Sequence, residues 1–469
     1  MSPVLLSSIL LFKRSTFRLV VILLINGGVS SFALAAGVMS NPLTLEKAVT
    51  LALQNDPWLS GSRYQQQATA AMAESAFQLP DPNFSLKMAN LPTDTLDFNQ
   101  EGMTQLVAGV SQMYPRGDSR RLMREQLHLQ SGRQPFMRLE RQEKLRLTIT
   151  QLWLDAYQAK QSVQLIEADR KLFDQLVDIS LASYSSGLRG SGQQDLIKAQ
   201  LEQSRIEDRL TMLRQKQDVA EQKLLEWLLP SVSDFTEGMN GFSGYTSELP
   251  VLSSLYTDRF QGEGLSNREL SSYLVRHPSI QIVDQSIAAA GTAVQLAKQQ
   301  YQPQWGVNAS YGYRGEDPTG RDRADLFSVG VTLSMPLFSS TGQDKEVEAA
   351  ISRQEKIRTE RSLILRQMIA SFHSARTQLD RLEQRREIFD NKLLPQVKQQ
   401  ADAALNAYES DNGSFIEVVR ARIAELNTRI EYLGIKIARL KQIAQTNYLL
   451  TTTESSAENI TLSQEGVTP

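Results

Sequence analysis

Not one cysteine occurs in the 469 residues of this chain. Disulfides, cysteine-based zinc sites, a thiol nucleophile and a lipid carried on an N-terminal cysteine are therefore all excluded. Charge of one sign is lacking too: the formal net charge is −2, so no strongly basic face is available to hold nucleic acid by its phosphates. The three histidines, His128, His277 and His373, are scattered. No His-x-x-x-His pair, Gly-rich phosphate loop or Gly-x-Ser-x-Gly elbow appears. An enzyme, a cofactor or a resident metal has little to rest on, and carboxylates in the Arg-rich stretches read as surface ion pairs. Beyond residue 36 there is no run of about 20 apolar residues. If the chain crosses a membrane, it does so with β-strands.

What is present begins with a targeting pattern. Lys13, Arg14 and Arg18 precede the apolar run Leu19 to Ile25, and Ala33-Leu34-Ala35 supplies a small-x-small cleavage signal. A membrane anchor is the alternative, but the run is short and ends in Asn26-Gly27-Gly28. Residues 1–35 are thus expected to be a signal peptide, with the mature chain starting near Ala36.

An internal repeat organises the remainder. Pro57, Pro82 and Pro115 recur as Pro278, Pro303 and Pro336, each 221 residues further on. Three prolines at one offset require every intervening segment to keep its length. Two copies are too few for a solenoid, so the pattern is a duplicated half: 36–228 and 266–450, with an irregular linker at 229–265 and a mobile tail at 451–469.

Within each copy the hydrophobic period changes from helical to alternating and back. Trp305, Val307, Ala309, Tyr311 and Tyr313 alternate with Gly306, Asn308, Ser310 and Gly312; Phe327, Val329, Val331, Leu333 and Met335 alternate with Ser328, Gly330, Thr332 and Ser334. Phe84, Leu86 and Met88, then Leu106, Ala108 and Val110, keep phase in the first copy. The hairpins are expected over 83–114 and 304–336, with polar loops at Leu91 to Gly102 and Arg314 to Asp325. Such strands fit either a half-buried soluble sheet or a barrel wall. Export, and aromatics near strand ends, favour the wall. Its lipid side would then carry Phe84, Leu86, Trp305, Val307, Tyr311, Phe327, Val329 and Val331. Asn308, Ser310, Ser328 and Thr332 would face the lumen. Four strands cannot close a barrel, and an open edge in lipid leaves backbone groups unpaired. Closure has to come from oligomerisation.

Helical seams fill the rest. Leu365, Met368, Phe372, Ala375, Leu379 and Leu382 step by three and four, and Ile423, Leu426, Ile430, Leu433, Ile437 and Leu440 return the chain after Asp411-Asn412-Gly413. The first copy has the same hairpin, with Leu145, Ile149, Leu152, Ala156, Ala159 and Val163 on one arm and a turn at Gly187 to Gly192. Pro135 is expected to kink or interrupt that arm.

These residues resemble the TolC-type outer-membrane efflux protein family over nearly all of the mature chain. The resemblance is carried by the duplicated helix-Pro-strand-strand-Pro-helix unit and by two turns with Tyr just upstream. They read Tyr184-Ser185-Ser186-Gly187 before Asp195-Leu196-Ile197-Lys198-Ala199, and Tyr408-Glu409-Ser410-Asp411 before Glu417-Val418-Val419-Arg420-Ala421. The resemblance implies a mixed α/β membrane protein: long antiparallel coiled-coil hairpins forming a periplasmic α-barrel, plus four strands per chain completing a 12-stranded barrel in a homotrimer. It implies an outer-membrane exit duct, with a large periplasmic part, that works with a periplasmic adaptor and an inner-membrane pump of the RND type. The segment from Pro80 to Gln112 leans to the heavy-metal branch. Met88, Met103 and Met113 nevertheless read as adaptable filler rather than a copper site.

For the hairpin tips the resemblance implies a gate. Glu417 falls on an acidic ring position, whereas Arg420 stands where a second acid is expected. Asp195 matches a residue that bonds to an Arg on the neighbouring hairpin. That Arg position is Gly413 here, which leaves Arg189 as the nearest substitute. A solvated helix end is the plain alternative for all four. Other functions remain open: a drug or type I secretion duct of the same fold, a periplasmic adaptor, or a structural coiled-coil protein.

Overall fold

The computed structural model describes residues 42–186, 193–229, 248–260, 266–338, 340–410 and 412–453. The signal-peptide expectation for 1–35 lies outside them.

Elements follow the repeat almost residue for residue. In the first copy α1 (Leu45–Asn55) and α2 (Pro57–Phe77) lead into β1 (Asn83–Ala89) and β2 (Gln105–Tyr114). Two long helices follow, α3 (Ser119–Ser186) and α4 (Gln193–Leu228). After the short α5 (Leu255–Phe260), the second copy has α6 (Asn267–Leu274), α7 (Pro278–Lys298), β3 (Gln304–Tyr313), β4 (Leu326–Ser334), α8 (Thr341–Ile388), α9 (Leu394–Glu409) and α10 (Phe415–Leu449). The start of α2 at Pro57 and of α7 at Pro278 shows why the prolines repeat. Each sits in the first helical turn, where its missing N–H is no loss. The residue before it caps the helix: Asp56 accepts from the Trp58 N–H, and His277 Nδ1 accepts from the Ser279 N–H.

Three expectations need correction. Pro135 does not interrupt its arm: α3 runs through it for 68 residues, roughly 100 Å at 1.5 Å per residue. Packing of α3 against α2, α4 and α7 outweighs the one backbone hydrogen bond that proline removes. The linker is not wholly irregular, because α5 forms within it and stacks Tyr256 on the second copy's core. The tail does not begin as a mobile segment. Thr451 and Thr452 are buried, and the Thr453 N–H donates to the Arg276 carbonyl.

The other long arm takes its proline differently. A π-helical turn, Phe389–Leu393, separates α8 from α9 just before Pro395. One extra residue in the turn accommodates the carbonyl that the proline ring would otherwise strike.

The seams read from the sequence form the core. Leu145, Ile149, Ala156 and Val163 of α3 are buried, as are Met368, Phe372 and Ala375 of α8 and Leu426, Ile437 and Leu440 of α10. Trp153, fully buried, donates its indole N–H to the Leu43 carbonyl and so ties the segment before α1 onto the first hairpin.

The four strands form one antiparallel sheet in the order β1-β2-β3-β4.

Candidate functional site

Register decides what the sheet can do. Phe84 pairs with Val110, Leu86 with Ala108 and Met88 with Leu106. Val110 pairs in turn with Ala309, Ala108 with Tyr311 and Tyr114 with Trp305. Trp305 pairs with Leu333, Val307 with Val331, Ala309 with Val329 and Tyr311 with Phe327. Directly opposed residues share a face, so the apolar set of all four strands forms one surface, interrupted only by Gln112 opposite Val307. The other face carries Ser85, Lys87, Gly109, Ser111, Asn308, Ser310, Ser328 and Thr332. A slip of one residue between any two strands would have mixed the faces; none occurs.

The apolar face is bare. Phe84 is 80 % exposed, Phe327 71 % and Val331 65 %, and leaving such residues in water forgoes ~1.5–3 kcal/mol per side chain. Aromatics stand at its two ends. Tyr114 and Trp305 pair beside the helices, whereas Tyr311, Tyr313 and Phe327 stand by the loops, with Phe98 stacked on Tyr313 at 6.1 Å. The polar face is instead thinned by glycine. A Cβ on Gly306 would lie 2.6 Å from Met113 Sδ, and one on Gly330 would lie 2.8 Å from Asn308 Oδ1. Bulk on one face and glycine on the other is what a wall needs if it curves with its polar side inward.

The prolines mark where wall becomes helix. Pro82 and Pro303 each immediately precede a strand, Pro115 directly follows β2, and Pro336 lies two residues past β4. At this junction Arg116 Nη1 donates to the Gln302 carbonyl at 2.6 Å. Gly117 adopts φ +43°, where a Cβ would lie 2.4 Å from Gln299 Oε1. Arg116, Gly117 and Gln299 were not legible in the sequence, since their contacts run between the two copies. Below the strands, a groove of about 1030 Å³ among α2, α3, α7 and α8 is lined by Gln65, Gln126, Gln130, Gln285 and Gln300, with Lys345 and Glu346.

The loops at the opposite end hold each other. Arg323 donates to the carbonyls of Glu101 and Asn99, and Arg314 to that of Gly102.

At the second hairpin tip, Ser414 caps α10 by accepting from the Glu417 N–H at 3.3 Å. Gly413 is required by packing, because a Cβ there would lie 2.9 Å from the Tyr408 backbone nitrogen and 3.0 Å from the Ala407 carbonyl carbon. Tyr408 packs on the core formed by Val418, Val419 and Leu426. Glu417 and Arg420 are exposed on α10, three residues apart. Among the described residues they form no ion pair with each other. At the first tip, Tyr184 lies in the last turn of α3 and Asp195 in the first turn of α4. Gly187, Arg189 and Asp411 lie outside the described residues, and so does the Asp195–Arg189 contact.

Between wall and tips, the two copies differ at one matched position. Asp56, buried, pairs with Arg141 at 2.7 Å, and Arg141 lies against the rings of Trp58 and Trp227. Its counterpart His277 is also buried, its Nε2 donating to the Tyr448 carbonyl at 3.1 Å. Burial pulls the His277 imidazole below its ordinary pKa, against the opposing pull of the Glu140 charge and the Tyr448 carbonyl. Tyr448 donates its hydroxyl to Glu140 at 2.5 Å, and burial with the Glu140 charge raises that phenol.

A sheet with one bare apolar face and one polar face, carried on long helical hairpins, defines a class: a membrane-wall segment joined to an α-helical barrel segment. Residues 270–449 match the family model described as Outer membrane efflux protein. No curated protein matches the chain by sequence. Among solved structures, the chain is similar to CusC (TM-score 0.67, 16% identity, 87% of this chain and 92% of that one). It is also similar to VceC from Vibrio cholerae (TM-score 0.68, 15% identity, 87% and 96%). The Campylobacter jejuni CmeC outer membrane channel is another such structure (TM-score 0.70, 14% identity, 90% of each chain). Family match and fold agree: residues 270–449 carry the match to the outer membrane efflux protein family, and the chain has the fold of the TolC-type outer-membrane channels. Identities of 16, 15 and 14% single out no branch of it.

Proposed function

We propose that three copies of the chain close one barrel of twelve strands and serve as the exit duct of a tripartite efflux system. The apolar face lies against outer-membrane lipid, the polar face lines the lumen, and the helical hairpins reach through the periplasm towards an adaptor protein and an inner-membrane pump. The duct carries out no bond chemistry; the pump supplies the energy. The observation that carries this reading is the unbroken register of four strands, which leaves one exposed face that is apolar except at Gln112, and two free strand edges. Within lipid, free edges are untenable, and pairing β1 of one copy with β4 of the next removes them.

The segment from Pro80 to Gln112 favours heavy-metal cargo within this reading, and Glu417 and Arg420 are the proposed tip charges. Deleting the chain in its host and challenging the strain with a panel of metals and drugs tests the duct. Sensitivity to one class, reversed by the intact chain but not by a chain with Val331→Arg, is expected. Unchanged tolerance to every compound together with release of the chain into buffer without detergent would contradict it.

A further inference from the structure

The four strands carry a single charged side chain. Every residue of β2, β3 and β4 is neutral, and β1 contributes only Lys87. Lys87 pairs with Val107 and shares the polar face with Ser85, Gly109 and Ser111. It is exposed, and among the described residues it forms no ion pair. Following the register across the sheet, Lys87 stands level with Val107, Gly312 and Leu326. That level is one residue inside the loop-side end of β3. The loop charges lie beyond the strand ends and are of both signs. Several are held by partners: Arg314 and Arg323 donate to carbonyls of the first loop, and Asp325 accepts from the Arg314 N–H.

We infer that Lys87 is an ion-selecting residue of the barrel: three copies form a cationic ring just inside the outer mouth, which favours anions over cations in the lumen. The inference rests on the duct reading. A charge repeated three times around a passage with low-dielectric walls focuses its field inward, and the local concentration of counter-ions rises accordingly. With no carboxylate elsewhere on the strands, nothing in the wall offsets it. The cargo class that fits is net anionic: an organic acid, or a metal ion carried as an anionic complex rather than bare.

The absence of native cysteine permits a direct test on the full chain in outer membranes. Ser85→Cys places one thiol on the same face, two residues from Lys87. Its reaction rates are measured with two water-soluble methanethiosulfonates, one bearing a sulfonate and one a trimethylammonium. These reagents enter from the outside, so the state of the periplasmic tip does not matter. The sulfonate reagent should be favoured with Lys87 present, and the rate ratio should fall on the order of tenfold in K87E. K87Q should fall between, and K87R should keep the original ratio. A ratio identical in K87E and the Lys87 parent overturns the inference and leaves the duct intact. A thiol reached only by a lipid-soluble maleimide overturns the lumen assignment, and the duct reading with it.

Discussion

Residue-scale consequences are sharpest where neighbours on a strand face opposite ways. Val331 and Thr332 are adjacent, yet Val331 belongs to the bare apolar face and Thr332 packs beside Gly306 on the polar one. Val331→Arg should therefore destabilise the assembled barrel by ~2–4 kcal/mol if that face meets lipid at mid-depth, and Thr332→Arg by much less. Urea titration of the detergent-extracted oligomer measures the difference; equal losses would contradict the assignment of faces. A second residue-scale prediction concerns His277. Its pKa is lowered in the folded chain, chiefly by burial, so on acidification the unfolded chain takes up the proton first. The neutral cap contributes fully above about pH 6.5, the usual imidazole value. Its contribution is lost as pH falls from there through the lowered folded value. His277→Asn keeps a capping side chain without a titrating ring. The stability lost between about pH 7.5 and 5.5 should shrink in this variant relative to the parent. Asp56, the matched cap in the first copy, shows that the position tolerates a different chemistry when its α3 partner changes with it.

At the scale of elements, the sequence was legible wherever a period or an offset could be counted. The seams through Leu145 and Ile149, through Met368 and Phe372, and through Leu426 and Ile437 became the core because apolar spacing of three and four has one helical solution. The strand faces followed from period two. Contacts between the copies were not legible: nothing local marks Arg116 as reaching Gln302, or Glu140 as reaching Tyr448. Proline at 135 does not interrupt its helix because a helix packed on three sides can absorb one missing bond, whereas Pro395 drew a π-helical turn ahead of it. The tip turn supplies the element-scale test. Gly413→Ala pushes a Cβ onto the backbone of Tyr408 and Ala407, which cannot swing aside as a side chain would. We expect a loss of ~1–3 kcal/mol, seen as faster proteolysis at the tip with the sheet unchanged. The charges beyond this turn belong to the same element. If Glu417 and Arg420 ring the constriction, Glu417→Ala and Arg420→Ala should shift single-channel ion preference in opposite directions at low salt. Unchanged preference in both would return them to an ordinary solvated helix end.

For the whole molecule, the duplication explains why one chain holds two hairpins of each kind, and in the proposed duct the free edges are why one chain would not be enough. Recording the detergent-extracted oligomer in planar bilayers tests this most directly. The account predicts discrete, ohmic conductance steps from particles containing three chains, with no nucleotide or other energy source, and loss of those steps in Val331→Arg. Chain that leaves the membrane in plain buffer as a monomer, and that gives no conductance, would contradict it.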